Sequence, residues 1–286
     1  NSSSFLVRFF AMNRSEKRIS MILYDTHMHT EFSTDSDTPV TAQTERAEQA
    51  GLRGICITDH MDYDFPAELC DETFTGEPFV FDVDSYQRRL QKEKEQAPID
   101  ILCGVECGLQ ATENVINKNK KLAANQNWDF IIGSLHLVDK TDPYYDFFWE
   151  GKDARECVKE YFDSILDNLQ NFSAFDSLGH FDYVFRYEPK QYMDLIDTIL
   201  RLLIKKDIAL EVNTGGGDSK CGCQNPHFDI LQHYASLGGK LITIGSDAHT
   251  PEDISYRFHE LPALLKKAGL RQYCVYQKRK PVFFDL

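Results

Sequence analysis

From residue 22 onward the chain alternates two kinds of hydrophobic pattern. Short apolar runs rich in β-branched and aromatic residues, bounded by polar turns, predict strands near residues 22–30, 53–60, 100–108, 129–138, 174–184, 208–214 and 240–249. Between them, apolar positions spaced three and four apart predict amphipathic helices near 40–50, 82–96, 112–127, 153–170, 191–205 and 226–237. Strand–helix alternation of this kind builds βα units around a parallel sheet, so the pattern predicts an α/β fold with the sheet curled into a closed or distorted barrel. Residues 21–286 read as one domain and residues 1–20 as an extension outside the fold, since the first clear strand follows Met21 directly. The irregular stretches 61–81 and 140–151 are acidic and aromatic rather than Gly/Ser-rich, which marks lids or substrate walls, not linkers. Residues 272–284 offer one more strand, with Lys278-Arg279-Lys280 read as a solvated charge cluster.

Composition narrows the classes of function. A net charge of −14 and a pI near 5.1 exclude a broad footprint on a nucleic-acid backbone, which needs clustered Lys and Arg, and favour a small-molecule partner. Eight scattered cysteines, several inside apolar runs, suit a reducing compartment. Cys221-Gly-Cys223 has no second pair at ligand spacing, so it does not read as a metal site. No run approaches the ~18 apolar residues of a membrane span, and no secretory signal opens the chain. The expected setting is cytoplasmic, with no membrane partner.

The chemistry collects at the strand ends. Asp25-Thr-His27-Met-His29 closes the first strand, and period-two alternation puts both imidazoles on one face. Asp59-His60, Glu106, His136, His180-Phe-Asp182 and Asp247-Ala-His249 close later ones, the last pair again expected to share a face. Six of the nine histidines thus fall where a (β/α) barrel builds its active site; His227, His233 and His259 lie in helical stretches and read as bystanders. Imidazoles mixed with carboxylates suit Zn, Mn or Fe as divalent ions, and so many ligands imply two or three of them. Such a cluster points to metal-dependent hydrolysis.

The ordered series His27-x-His29, Asp59-His60, Glu106, His136, His180 and Asp247-x-His249 resembles that of the polymerase and histidinol phosphatase (PHP) superfamily, over about residues 24–250. The resemblance implies a distorted (β/α)7 TIM-like barrel with a trinuclear metal centre. It assigns His27, His29, Glu106 and Asp247 to one ion, Glu106, His136 and His180 to a second, and Asp35, His60 and His249 to a third. The stretches 27–35, 179–187 and 211–215 resemble the histidinol-phosphatase branch, which implies hydrolysis of L-histidinol phosphate by a metal-bridging hydroxide. Met61-Asp62-Tyr63 and Gly215-Gly216-Gly217 depart from that branch, and the glycine run lacks the lysine of a P-loop.

Around this centre, Arg186 is the candidate phosphate clamp, because a guanidinium fork can hold two phosphoryl oxygens; the alternative is a surface ion pair with Glu188 or another carboxylate. Asn213 and Thr214 either contact substrate or satisfy backbone groups at a strand end. Ser134 is a further candidate phosphate contact. Asp247 is the candidate proton handler, and Asp59 and Asp182 are expected to orient imidazoles. Rival readings are a phosphodiesterase or exonuclease, disfavoured by the acidity, and an amidohydrolase, in which Glu106 would stand where a modified lysine bridges. A non-catalytic metal-binding module is disfavoured because no ligand is missing.

Overall fold

The computed structural model describes residues 21–70, 76–188, 192–215 and 222–286. The extension 1–20, Gln191, Gly216, Gly217 and Cys221 lie outside the described residues.

The barrel strands are β1 (Tyr24–Asp25), β2 (Gly54–Ile57), β3 (His60–Met61), β4 (Asp100–Gly108), β5 (Phe130–Ser134), β6 (Ser177–Leu178), β7 (Ala209–Asn213) and β8 (Ile242–Gly245). They run in the order β1-β2-β4-β5-β6-β7-β8, all parallel, with β3 also on β4. β2 and β3 are one strand interrupted: Gly54 faces Asp100 and His60 faces Glu106 in the same register. At the interruption the Glu106 N–H reaches both the Thr58 and Asp59 carbonyls, and the buried Tyr86 hydroxyl meets Ile57 O, Gly104 O and the Asp59 N–H. The circle closes where Thr26 N–H donates to Ile244 O at 3.0 Å and His29 N–H to Ala248 O at 2.8 Å. These findings match the distorted (β/α)7 TIM-like barrel in a single domain.

Around the barrel lie α1 (Val40–Gln49), α2 (Val83–Gln96), α3 (Glu113–Ala123), α4 (Ala154–Asn171), α5 (Asp197–Lys206), α6 (Phe228–Ser236) and α7 (Leu261–Ala268). Asp82, Thr112 and Asp153 cap α2, α3 and α4 by accepting from Ser85, Val115 and Arg155 N–H groups. On α4, Cys157, Val158, Tyr161, Phe162, Ile165 and Leu169 form the buried stripe, at the spacing expected of a face packed on a sheet. Burying each large side chain there stabilises the fold by about 1.5–3 kcal/mol.

Two outcomes differ from the pattern reading. The expected 174–184 strand shrinks to Ser177–Leu178, because the chain turns after His180 into a 3-10 helix over Tyr183–Arg186. The tail is a hairpin, β9 (Gln272–Gln277) with β10 (Lys280–Asp285), turning at Lys278 and Arg279 with φ of 50° and 62°. It packs against the N-terminal ends of the barrel strands: Leu23 N–H donates to Tyr273 Oη, Cys274 Sγ lies on Ile242 O, and Phe130 stacks on Tyr276. The solvated-cluster reading therefore fails for Arg279, whose Nε donates to Asp176 and whose Nη2 donates to Ala174 O.

Candidate metal centre

The ligand candidates lie at the C-terminal ends of the barrel strands, apart from Asp35 in the loop between β1 and α1, and they converge on Glu106. Its carboxylate is fully buried, with Oε2 3.2 Å from His27 Nε2, 3.5 Å from His29 Nε2 and 3.0 Å from His60 Nδ1. Its Oε1 lies 3.0 Å from His180 Nε2 and 3.3 Å from His136 Nε2. Asp247 Oδ1 completes the first group, 3.4 Å from His27 and 3.1 Å from His29. Asp35 Oδ2 faces His60 Nε2 at 3.4 Å and His249 Nε2 at 3.1 Å. All nine sequence candidates thus meet in one place. The sets His27/His29/Glu106 and Glu106/His136/His180 each bring their ligand atoms within 4.8 Å of one another, as do His29/His60/His249 and His60/Asp62/His136.

Local backbone devices make this convergence possible. Met28 bridges Ala248, which keeps residues 27–29 extended, so His27 and His29 do share a face although β1 itself ends at Asp25. Asp247 and His249 reach the site differently from the alternation expected of them: Asp247 has a left-handed φ of 59°, a turn rather than a strand. Gly245 is needed because a Cβ there would sit 2.3 Å from His27 Cβ, and Gly108 because one would sit 1.4 Å from Asp62 Oδ1.

The imidazoles are aimed by the atoms behind them. His27 Nδ1 donates to Glu211 at 2.6 Å, His136 Nδ1 to Asp62 at 2.9 Å and His249 Nδ1 to the Asp247 carbonyl at 2.9 Å, which leaves each Nε2 lone pair facing inward. Glu211 and Asp62 are functional residues that the pattern reading missed. Glu211 precedes Asn213 by two on β7 and shares its face, and Asp62 stands likewise to His60, so alternation carried the signal for both. Asp59 touches no imidazole: it accepts from Thr30 N–H, Thr30 Oγ1 and Ser33 Oγ, and the Ser33 hydroxyl meets His29 Nδ1 at 3.2 Å. Asp182 also orients no rim ligand, for His227 and Asn225 occupy its carboxylate. His233 pairs with Asp197 and His259 is exposed, both away from the rim.

The electrostatics are those of a cation site. Burial opposes charge on His27, but Glu211, Glu106 and Asp247 overcome it and raise its pKa well above the usual range. His136 rises to about 10, with Asp62 and Glu106 outweighing burial. Burial and the neighbouring His249 and His60 push His29 down to about 3. Burial also opposes ionisation of Glu106 and Asp247, yet the imidazoles hold both carboxylates well below their ordinary values. His27 Nε2 and His60 Nδ1 lie buried 3.2 and 3.0 Å from Glu106 Oε2, yet none of the three atoms has a hydrogen-bond partner. Buried polar atoms are almost always satisfied, so donors that converge without bonding fit divalent cations.

Beside the centre, Arg186 Nε donates to Asn225 Oδ1 at 2.7 Å and Nη2 to Asn213 Oδ1 at 3.3 Å, with Nη2 3.7 Å from Asp247 Oδ2. It is thus no surface Arg. Asn213 is fully committed: Oδ1 also accepts from Gly215 N–H, and Nδ2 donates to Glu211 and Asp247. Thr214 is buried with its hydroxyl on Gly245 O, and Ser134 is buried against Gly179, where a Cβ would lie 2.1 Å from its Oγ. The side chains of Asn213 and Thr214 thus satisfy groups at the strand end, while Ser134 Oγ is buried without a hydrogen-bond partner.

The PHP domain family matches residues 25–215. A probable histidinol-phosphatase of Clostridium acetobutylicum is 32% identical over 272 residues, 92% of this chain and 97% of that one. A histidinol-phosphatase of Lactococcus lactis subsp. lactis is likewise 32% identical, over 90% of this chain and 95% of that one. The crystal structure of histidinol phosphate phosphatase from Lactococcus lactis subsp. lactis, complexed with Zn, L-histidinol and phosphate, superimposes with a TM-score of 0.78 at 30% identity, covering 92% of this chain and all of that one. With the PHP domain matched over residues 25–215 and relatives of 32% identity spanning nearly all of both chains, the chain belongs to the PHP domain family, on its histidinol-phosphatase branch.

Proposed function

We propose that this protein is a metal-dependent phosphomonoesterase that hydrolyses L-histidinol phosphate to L-histidinol and phosphate, a reaction of histidine biosynthesis carried out in the cytoplasm. The observation that carries it is the convergence of buried, hydrogen-bond-deprived donor atoms around Glu106 with the Arg186 guanidinium beside them. The substrate follows from likeness to the Lactococcus lactis enzyme, crystallised with L-histidinol and phosphate.

Two or three divalent ions, of Zn, Mn or Fe, would be held by His27, His29, Glu106 and Asp247, by Glu106, His136 and His180, and by Asp35, His60 and His249. Such ions polarise phosphoryl oxygens and make a water nucleophilic near neutral pH. The chain's own residues do the rest. Arg186 supplies donors to the transferring phosphoryl group. Asp247 is the group that takes the proton of the attacking water, a role supported by its position with Oδ1 facing the imidazoles and Oδ2 facing Arg186 and Asn213. Glu211 and Asp62 keep the imidazoles in one tautomer.

The test is phosphate release from L-histidinol phosphate by protein reconstituted separately with Mn2+, Zn2+ and Fe2+, beside a panel of other phosphomonoesters, diesters and single-stranded DNA. Preference for histidinol phosphate is expected. Turnover confined to other esters would retain the centre and remove the substrate; Arg186→Ala leaving kcat/KM unchanged would remove the clamp.

A further inference from the structure

Arg186 is anchored by a segment outside the centre, residues 222–227, to which the pattern reading gave no role. We infer that the Asn225 side chain, locked by Asp182, is the positioning residue that sets the orientation of the Arg186 guanidinium toward the phosphoryl group. This rests on the proposed role of Arg186 as the clamp.

The geometry leaves the Asn225 amide one orientation. Arg186 Nε–H can only donate, so the amide must turn Oδ1 to it, 2.7 Å away, which leaves Nδ2 to donate to Asp182 Oδ1 at 2.6 Å. Asp182 is itself fixed: its fully buried carboxylate also accepts from the His227 N–H at 2.9 Å and His227 Nδ1 at 2.7 Å. The backbone of Asn225 has separate work, exchanging hydrogen bonds of 2.8 and 2.7 Å with Asn213. That bridge holds the segment on β7 whatever side chain stands at 225. The side chain is therefore spent on Arg186. With Nε on Asn225, Nη2 on Asn213 and the guanidinium 5.1 Å over the Tyr183 ring, both its edge and its plane are set. Nη1 donates to no acceptor among the described residues, so that group remains for an incoming oxyanion.

The experiment is a double-mutant cycle of Asn225→Ala and Arg186→Ala, read as kcat/KM on L-histidinol phosphate, calorimetric binding of inorganic phosphate to the metal-loaded protein, and bound metal. Asn225→Ala is expected to lower kcat/KM and weaken phosphate binding about 10- to 100-fold with metal content unchanged. In the Arg186→Ala background it should change either by less than about 2-fold. Equal losses in both backgrounds would mean a general structural role and overturn the inference while leaving the clamp standing. An Arg186→Ala protein with unchanged turnover and phosphate binding would sink the clamp itself, and the inference with it. A readout that needs no functional variant is the Arg186 Nε–H resonance of the native protein, assigned by its loss in Arg186→Lys. Slow exchange with water is expected, whereas rapid exchange would show no hydrogen bond to Asn225 and overturn the inference.

Discussion

The two ends of the barrel treat buried charge in opposite ways. At the base, Asp176 accepts from Ile131 N–H and Arg279, and Asp129 accepts from the Cys103 and Lys278 N–H groups. Each carboxylate there has N–H donors of its own, within the chain. At the rim, Glu106 shares its carboxylate among five imidazoles, and Oε2 has no hydrogen bond at all. The base is finished without a ligand; the rim is completed by one. Stability and reactivity are thus assigned to opposite ends of the same strands, the division expected of barrel enzymes.

The largest effect that could break this division is metal loss. Chelation, or Glu106→Gln, is expected to reduce phosphate release by about 10³-fold or more while the circular dichroism spectrum stays folded, because transition-state charge loses its main stabilisation. A folded Glu106→Gln protein with wild-type turnover would refute the centre. Next in size, Glu211→Gln and Asp62→Asn should each weaken metal affinity or activity about 10- to 100-fold, measured by competition with a chromogenic chelator. Arg279→Ala sharpens the contrast from the other side: losing the partner of buried Asp176 should destabilise by about 1–3 kcal/mol in denaturant titration, with kcat unaltered. Turnover that fell with Arg279 would show that the ends are not independent. The smallest effect is on pH dependence. In metal-free protein, His136, raised from its ordinary value to about 10, contributes stability that is whole below pH 6.5 and lost as pH rises through about 10. Metal binding needs neutral imidazoles and strengthens over the same range. The Tm gap between metal-loaded and metal-free protein should therefore widen from pH 6.5 to 9.

Much of this was legible from the strand pattern, whose predicted ends carried eight of the nine rim candidates, while Asp35 came from the family resemblance. It failed where side chains are aimed by something other than the strand. Asp247 arrives by a left-handed turn, and Asp182 faces sideways because a 3-10 helix begins where a strand was expected. Asp62 and Glu211 obey the alternation but bind the backs of imidazoles, a role that depends on which histidine lies across the barrel. Asn225 gave no signal, since its partners Arg186 and Asp182 lie about forty residues away in sequence. Arg279 misled because charge runs are usually solvated, and only the hairpin turn delivers this one to Asp176.

The hairpin also dictates when the molecule can be finished. Leu23 bonds Tyr273 across 250 residues and Tyr24 meets Phe284, so β1 is covered at the base only once β9 and β10 are in place. On a ribosome adding roughly 5–20 residues per second, the apolar base stays open until the β9–β10 hairpin has emerged. A nascent chain stalled at residue 270 would hold every rim ligand already synthesised above a floor still missing Tyr273, Cys274, Tyr276 and Phe284.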